Sequence, residues 1–105
     1  PWDIALVQAR LASIAGLLAP LGADAVGHGH AGADIGRLQA AGVPSLGVAV
    51  DDSHYFDVHH TDADTLDKVV PADLAANAAA VAALAYVVAD LPVRIDAPAE
   101  RWPTP

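Results

Sequence analysis

Two pairs of histidines bring imidazoles close together in a chain that contains no cysteine: His59-His60, and His28 and His30 in the run Gly27-His28-Gly29-His30. Neutral imidazole binds zinc at about 2.0–2.1 Å, and without a thiolate any metal here must rely on histidine and carboxylate. On extended chain His28 and His30 would point to one face and could chelate zinc or copper. The glycines around them leave the backbone too mobile to hold a metal geometry unaided. His59-His60 lies in residues 51–68, a polar, aromatic stretch without sustained period, and an internal loop of that length is functional or disordered. His60 is the leading ligand candidate, against the plainer reading of a surface histidine in a polar loop. Asp64 either accepts backbone N–H bonds that orient this loop or is an ordinary turn aspartate. Tyr55 and Phe56 lie on the approach to His60, where their rings can pack into a core. Asp34 reads as a helix N-cap.

The elements that must position these residues are legible from periodicity. Ile4, Val7, Leu11, Ile14, Leu18 and Leu21 recur at spacings of three and four, which predicts a helix over residues 3–19 with one core-facing stripe, stopped by Pro20 and Leu21-Gly22. Residues 23–26 read as a short strand running into the His28/His30 loop. A short helix over 35–41 should start at Asp34 and end at Gly42. Leu46, Val48 and Val50 alternate with Ser45, Gly47 and Ala49, the pattern of a strand interior to a sheet. After the loop, Pro71 fits the first turn of a long helix to residue 90, with Val70 where a capping side chain is wanted. The order helix, strand, short helix, strand, loop, long helix predicts part of an α/β layered fold. Residues 1–91 are read as a partial domain and 92–105 as a proline-rich tail, extended over a surface or disordered.

Composition narrows the partners. Thirteen acidic against five basic residues give a formal charge of −8, which repels phosphate backbones and anionic lipid, so nucleic acid is not expected. No apolar run approaches the ~20 residues that span a bilayer, and the N-terminus lacks the pattern of a signal peptide, so no membrane association is expected. The chain is 54% hydrophobic with two tryptophans, two tyrosines and one phenylalanine, alanine supplying much of the apolar count. Short apolar side chains bury little area, which suits a piece packed on both faces against something else.

The runs Asp34-Ile35-Gly36, Ala41-Gly42-Val43-Pro44, Tyr55-Phe56-Asp57-Val58-His59-His60-Thr61 and Asp64-Thr65-Leu66-Asp67-Lys68-Val69 resemble the C-terminal part of the co-catalytic di-zinc exopeptidases, the family of bacterial secreted aminopeptidases and carboxypeptidase Q. The resemblance covers roughly residues 22–90. It implies a mainly parallel sheet between helices and a hydrolase that removes terminal residues from peptides with two zinc ions. It implies that His60 is the last metal ligand, that His59 occupies a place where a donor helps stabilise the tetrahedral intermediate or serves in packing, and that Asp64 and Asp34 support the site. It also implies that Tyr55 and Phe56 line the cleft for the substrate's terminal residue. Of the family's five ligands only the final histidine matches; no His-x-Asp motif of the family lies upstream of His60, no Glu-Glu motif occurs, and the one glutamate, Glu100, lies in the tail. The isolated chain is therefore expected to be an inactive C-terminal portion of such an enzyme, partnered by the missing N-terminal portion or by itself. The alternative is a non-catalytic acidic α/β module acting by oligomerisation or binding. Periplasmic or secreted residence is a further implication of the resemblance.

Overall fold

Asp3 opens the first helix, its carboxylate accepting the Leu6 N–H at 3.0 Å, which satisfies one of the unpaired donors of the first turn. Helix α1 runs Ile4–Ala15 and tightens into a 3-10 turn, Gly16–Leu21, around Pro20. Gly22 ends it at φ 68°, a left-handed value that suits glycine. The structure, a computed structural model, describes residues 2–104. Helix α2 is Gly36–Ala40 and helix α3 is Tyr55–Val58; a 3-10 turn, Leu66–Lys68, leads to helix α4, Pro71–Asp90. Pro71 sits in the first turn of α4, and Val70 before it contributes no capping side-chain bond. A last 3-10 turn, Ala99–Arg101, lies in the tail.

The predicted α/β layered fold is not what forms. Among the described residues there is no strand: the molecule is helices joined by extended chain. The segments 23–26 and 46–50 are extended, but no backbone hydrogen bond joins them. The second of them runs close to the loop that carries His28 and His30, since a Cβ added to Gly47 would lie 2.9 Å from the His30 carbonyl oxygen. The physical reason is that alternation along a segment states which faces are apolar, whereas a strand also needs a neighbour in register to take its N–H and C=O groups, and two isolated segments are marginal. Two smaller expectations also fail. Asp34 lies in the turn before α2 and makes no capping bond. Residues 51–68 are not an irregular loop but hold α3 and a 3-10 turn.

The core is small. Val7, Ala15, Leu18, Ala80 and Ala97 are its buried apolar residues, where α1 and its 3-10 extension meet α4 and the tail. The tail is tied down by Arg10, which is only 7% exposed. Its guanidinium donates to the Ile95 carbonyl at 2.8 Å and to the Ala97 carbonyl, and lies 3.8 Å from the centre of the Trp102 ring. The charge is thereby satisfied by two acceptors and a ring face, which is what lets an arginine be buried at all. Helix α4 has one buried residue, Ala80. Contrary to the sequence reading, two stretches, Ile4–Leu21 and Pro71–Asp90, are long and apolar enough by length and composition to cross a membrane. Alanine raises their apolar content without forming an uninterrupted run of large side chains.

Candidate functional site

The singled-out aromatic and histidine residues come together at α3. Tyr55 and Phe56 start the helix, and His59 and His60 follow its end. The i, i+4 spacing stacks Tyr55 on His59, with ring centres 4.4 Å apart and planes at 29°. Phe56 meets both edge-on, at 5.1 Å from Tyr55 and 5.8 Å from His59. The stack continues to His60, 3.9 Å from His59 at 26°. Reaching that position puts His60 at φ 56°, the one described non-glycine residue with positive φ. A left-handed side-chain-bearing residue is strained, and such strain concentrates at ligand clamps and active sites. Tyr55, Phe56 and His60 are exposed and His59 half-buried, so the stack presents an aromatic and imidazole surface to its surroundings.

The loop after His60 is held by threonine. Thr61 Oγ1 donates to the Val58 carbonyl at 2.6 Å and accepts from the Ala63 N–H at 3.2 Å, while the Thr61 carbonyl accepts the Asp64 N–H at 3.1 Å. Thr61 therefore links the end of α3 to the turn and fixes the entry to residues 61–65. Sequence reasoning left Asp64 between that orienting role and an ordinary turn aspartate, and its exposed carboxylate makes no hydrogen bond among the described residues. The signal for Thr61 was its place directly after the histidine, where a hydroxyl competes well for local backbone groups. Further along, Thr65 Oγ1 donates to Asp67, and Lys68 Nζ lies 2.6 Å from Asp67. The Lys68 hydrogen bond first, and that from Thr65 second, hold the Asp67 carboxyl below its usual range.

At the other end of α3, His54 Nδ1 lies 2.9 Å from Asp57 Oδ2. That hydrogen bond, with the Asp57 charge behind it, raises the His54 pKa above its ordinary 6.5. Asp51 accepts the Ser53 N–H at 3.0 Å, and the bonds from Ser53 lower its pKa. His28 and His30 stay apart from the α3 stack. His30 Nδ1 accepts the Gly32 N–H at 3.0 Å, so in the neutral ring the proton sits on Nε2 and neither nitrogen offers a free lone pair. Asp34 stands in the turn ahead of α2, with no bond to the stack.

Among the described residues no three His, Cys, Asp or Glu side chains are grouped so as to hold a metal ion. His60 can supply one imidazole, and one donor does not make a catalytic centre, which takes three protein ligands and an open position. The residues present do not by themselves fit a zinc site.

No family model matches the sequence, and no solved structure matches it. Curated proteins do: the chain is 36% identical over 84 residues to carboxypeptidase Q of Rattus norvegicus and 36% identical over 85 residues to carboxypeptidase Q of Homo sapiens. Carboxypeptidase Q of Mus musculus matches at the same identity. The chain is related to peptidases. The match takes in 80% of this chain but 18% of each relative's length, so four-fifths of those proteins has no counterpart here.

Proposed function

We propose that this chain is a C-terminal part of a zinc-dependent exopeptidase of the carboxypeptidase Q kind, contributing His60 as one metal ligand to a centre whose other donors lie outside it. The observation that carries this reading is the 36% identity spread over 80% of the chain. The local structure supports it: His60 has a left-handed backbone, its ring is stacked on His59, and the chain around it is tied by Thr61 between the end of α3 and the following turn. A ligand fixed in this way loses little freedom on binding metal. His59, stacked between Tyr55 and His60, is placed to add a donor beside the ligand, and the exposed Tyr55 and Phe56 faces suit the apolar part of a substrate's terminal residue. The isolated chain lacks the carboxylates needed to bridge two ions and accept a proton, so alone it should not turn over peptides.

The test uses the intact peptidase in which this segment occurs. His60→Ala should lower zinc content and turnover together, whereas Asp64→Asn should lower them less, since its carboxylate supports nothing in the loop. Thr61→Val should fall between them, with an effect of about 10–100-fold, the usual cost of losing a group that orients a ligand. Zinc stoichiometry by elemental analysis is the readout independent of activity. Unchanged zinc and turnover in His60→Ala, with both lost in His28→Ala and His30→Ala, would move the assignment to the other histidine pair.

A further inference from the structure

Two pockets flank α1. The larger, about 980 Å³, opens between α1, α4 and the extended segments, and among the described residues that line it there is no Asp, Glu, Lys or Arg by which to select an occupant. The smaller, about 350 Å³, is built by a different set of α1 residues and by the tail. Leu6, Ala9, Arg10, Ser13 and Ile14 form one side, at the spacings of three and four that put residues on one helix face, and Trp102 stands on the other. Arg10 is the one charged residue among the described residues that line it, and it is almost wholly withdrawn from water.

The Arg10 guanidinium is only half engaged. Nη1 donates to the Ile95 and Ala97 carbonyls, and the flat face lies on the Trp102 ring. Nε and Nη2 are the two donors that meet a carboxylate side by side, as those of Arg94 meet Asp96 at 2.8 and 2.9 Å. On Arg10 that edge has no hydrogen-bond partner among the described residues. It is not sealed either: no buried side-chain nitrogen or oxygen among the described residues lacks a partner, so both nitrogens are open. The neighbouring carboxylate, Asp96, is already engaged by Arg94 through both oxygens. A cation so far out of water, with a free two-donor edge, is costly unless an anion completes it.

We propose that this pocket binds a small monocarboxylate with an uncharged apolar body, its two oxygens on Nε and Nη2 of Arg10. The lining decides the class. Two parallel N–H donors match two carboxylate oxygens, whereas a phosphate would bring further charge into a chain at −8 where the lining holds no second cation. Leu6, Ile14 and Trp102 offer apolar surface to the body of the ligand. No carboxylate lines the pocket, so the ammonium of a free amino acid would go unpartnered there, which sets aside the products of a peptidase. The volume lies at the low end of the ~300–1,000 Å³ usual for small-molecule sites. Walled on one side by the chain's own tail, a space of this size admits a small molecule or a single side chain and not the face of another domain. The inference stands independently of whether His60 binds metal.

Two-dimensional NMR of the chain at neutral pH, titrated with hexanoate, tests it. The Arg10 Nε–H and the Trp102 indole N–H should shift saturably, with a dissociation constant of about 1 mM, while the Trp2 indole, in the larger cleft, should stay in place. Hexanamide has the same shape without the charge and should bind about tenfold more weakly or worse. Arg10→Lys keeps the charge and loses the fork, and should weaken hexanoate by about tenfold. Because Arg10 also ties down the tail, a second variant leaves it in place. Ser13→Asp, at an exposed position, puts a carboxylate at the rim and should abolish binding with helix content by circular dichroism unchanged. An Arg10 Nε–H that does not move at about 20 mM hexanoate overturns the proposal. So does hexanamide binding as tightly as hexanoate, and so does undiminished binding in Ser13→Asp. The same shifts are expected in the intact peptidase; their loss there would mean that a side-chain carboxylate from the rest of that protein fills the edge, and would overturn the small-molecule site.

Discussion

His60 pays for its place with a left-handed backbone, and the two residues beside it show what holds it there. A side chain in this region costs about 1–2 kcal/mol relative to the right-handed form, set here against the stacking on His59. Glycine takes that conformation without the steric cost. His60→Gly should therefore stabilise the isolated chain by about 1 kcal/mol while removing the imidazole, and His60→Ala should not. Chemical denaturation of the two variants side by side checks this; a destabilised His60→Gly would mean that the ring stack outweighs the strain. At the start of α3 the controlling group is His54. Its folded pKa is raised, first by the hydrogen bond to Asp57, so the bond contributes fully below the ordinary value of 6.5 and is lost as pH rises through the raised value. NMR titration should place the His54 ring above 6.5 and Asp57→Asn should return it to the ordinary range. Both groups are exposed, so the effect should appear as fraying of α3 above neutral pH and not as global unfolding.

Elements differ in how much of them a sequence declares. α1 was legible because apolar residues at spacings of three and four need nothing beyond the helix to specify a face, and because Pro20 and Gly22 mark its end by local sterics, whereas α4, rich in alanine on every side, was legible from Pro71 in its first turn. The strands expected at 23–26 and 46–50 did not form, since an apolar run or an alternation marks faces while pairing depends on a neighbour that no local pattern encodes. Helix α3 escaped notice because four residues, Tyr55–Val58, are too few to show a period, although they set the register that stacks Tyr55 on His59. The site's membership was legible as residue types, with His59, His60, Tyr55 and Phe56 all in one cluster, whereas the brace by Thr61 became apparent only from its bonds. The clamp of Arg10 on the tail was hidden for a different reason: its partners Ile95 and Ala97 are 85 and 87 residues away. Because it satisfies a buried charge, Arg10→Ala should release residues 95–102 from α1, while Trp102→Ala, which removes only the ring face, should loosen them less. Hydrogen exchange at the amides of Ala97, Arg101 and Trp102, all bonded within the tail, measures this directly. Equal protection in wild type and Arg10→Ala would show that the tail holds its place by other contacts.

For the whole molecule the governing fact is how little it buries. An unfolded chain of 10.6 kDa exposes about 15,400 Å², so at 8035 Å² the folded chain hides about half of its surface, where a domain of this size ordinarily hides about two-thirds. The radius of gyration agrees: 16.0 Å, against about 13 Å for a compact domain of this length. Large apolar residues on both main helices remain open, among them Ile4 at 54%, Leu74 at 60% and Tyr86 at 73% exposed. Such a chain has too small a core to offset the conformational entropy of ordering it, and cooperative unfolding arises only when many contacts are lost together. Dilute chain should therefore melt over a broad range, with a urea dependence towards the low end of the roughly 1–3 kcal/mol/M seen for small proteins, because that slope follows the area newly exposed. Thermal melts followed by circular dichroism check this, and a sharp, cooperative transition would mean that the chain closes its own core and that the open cleft between α1 and α4 collapses in solution.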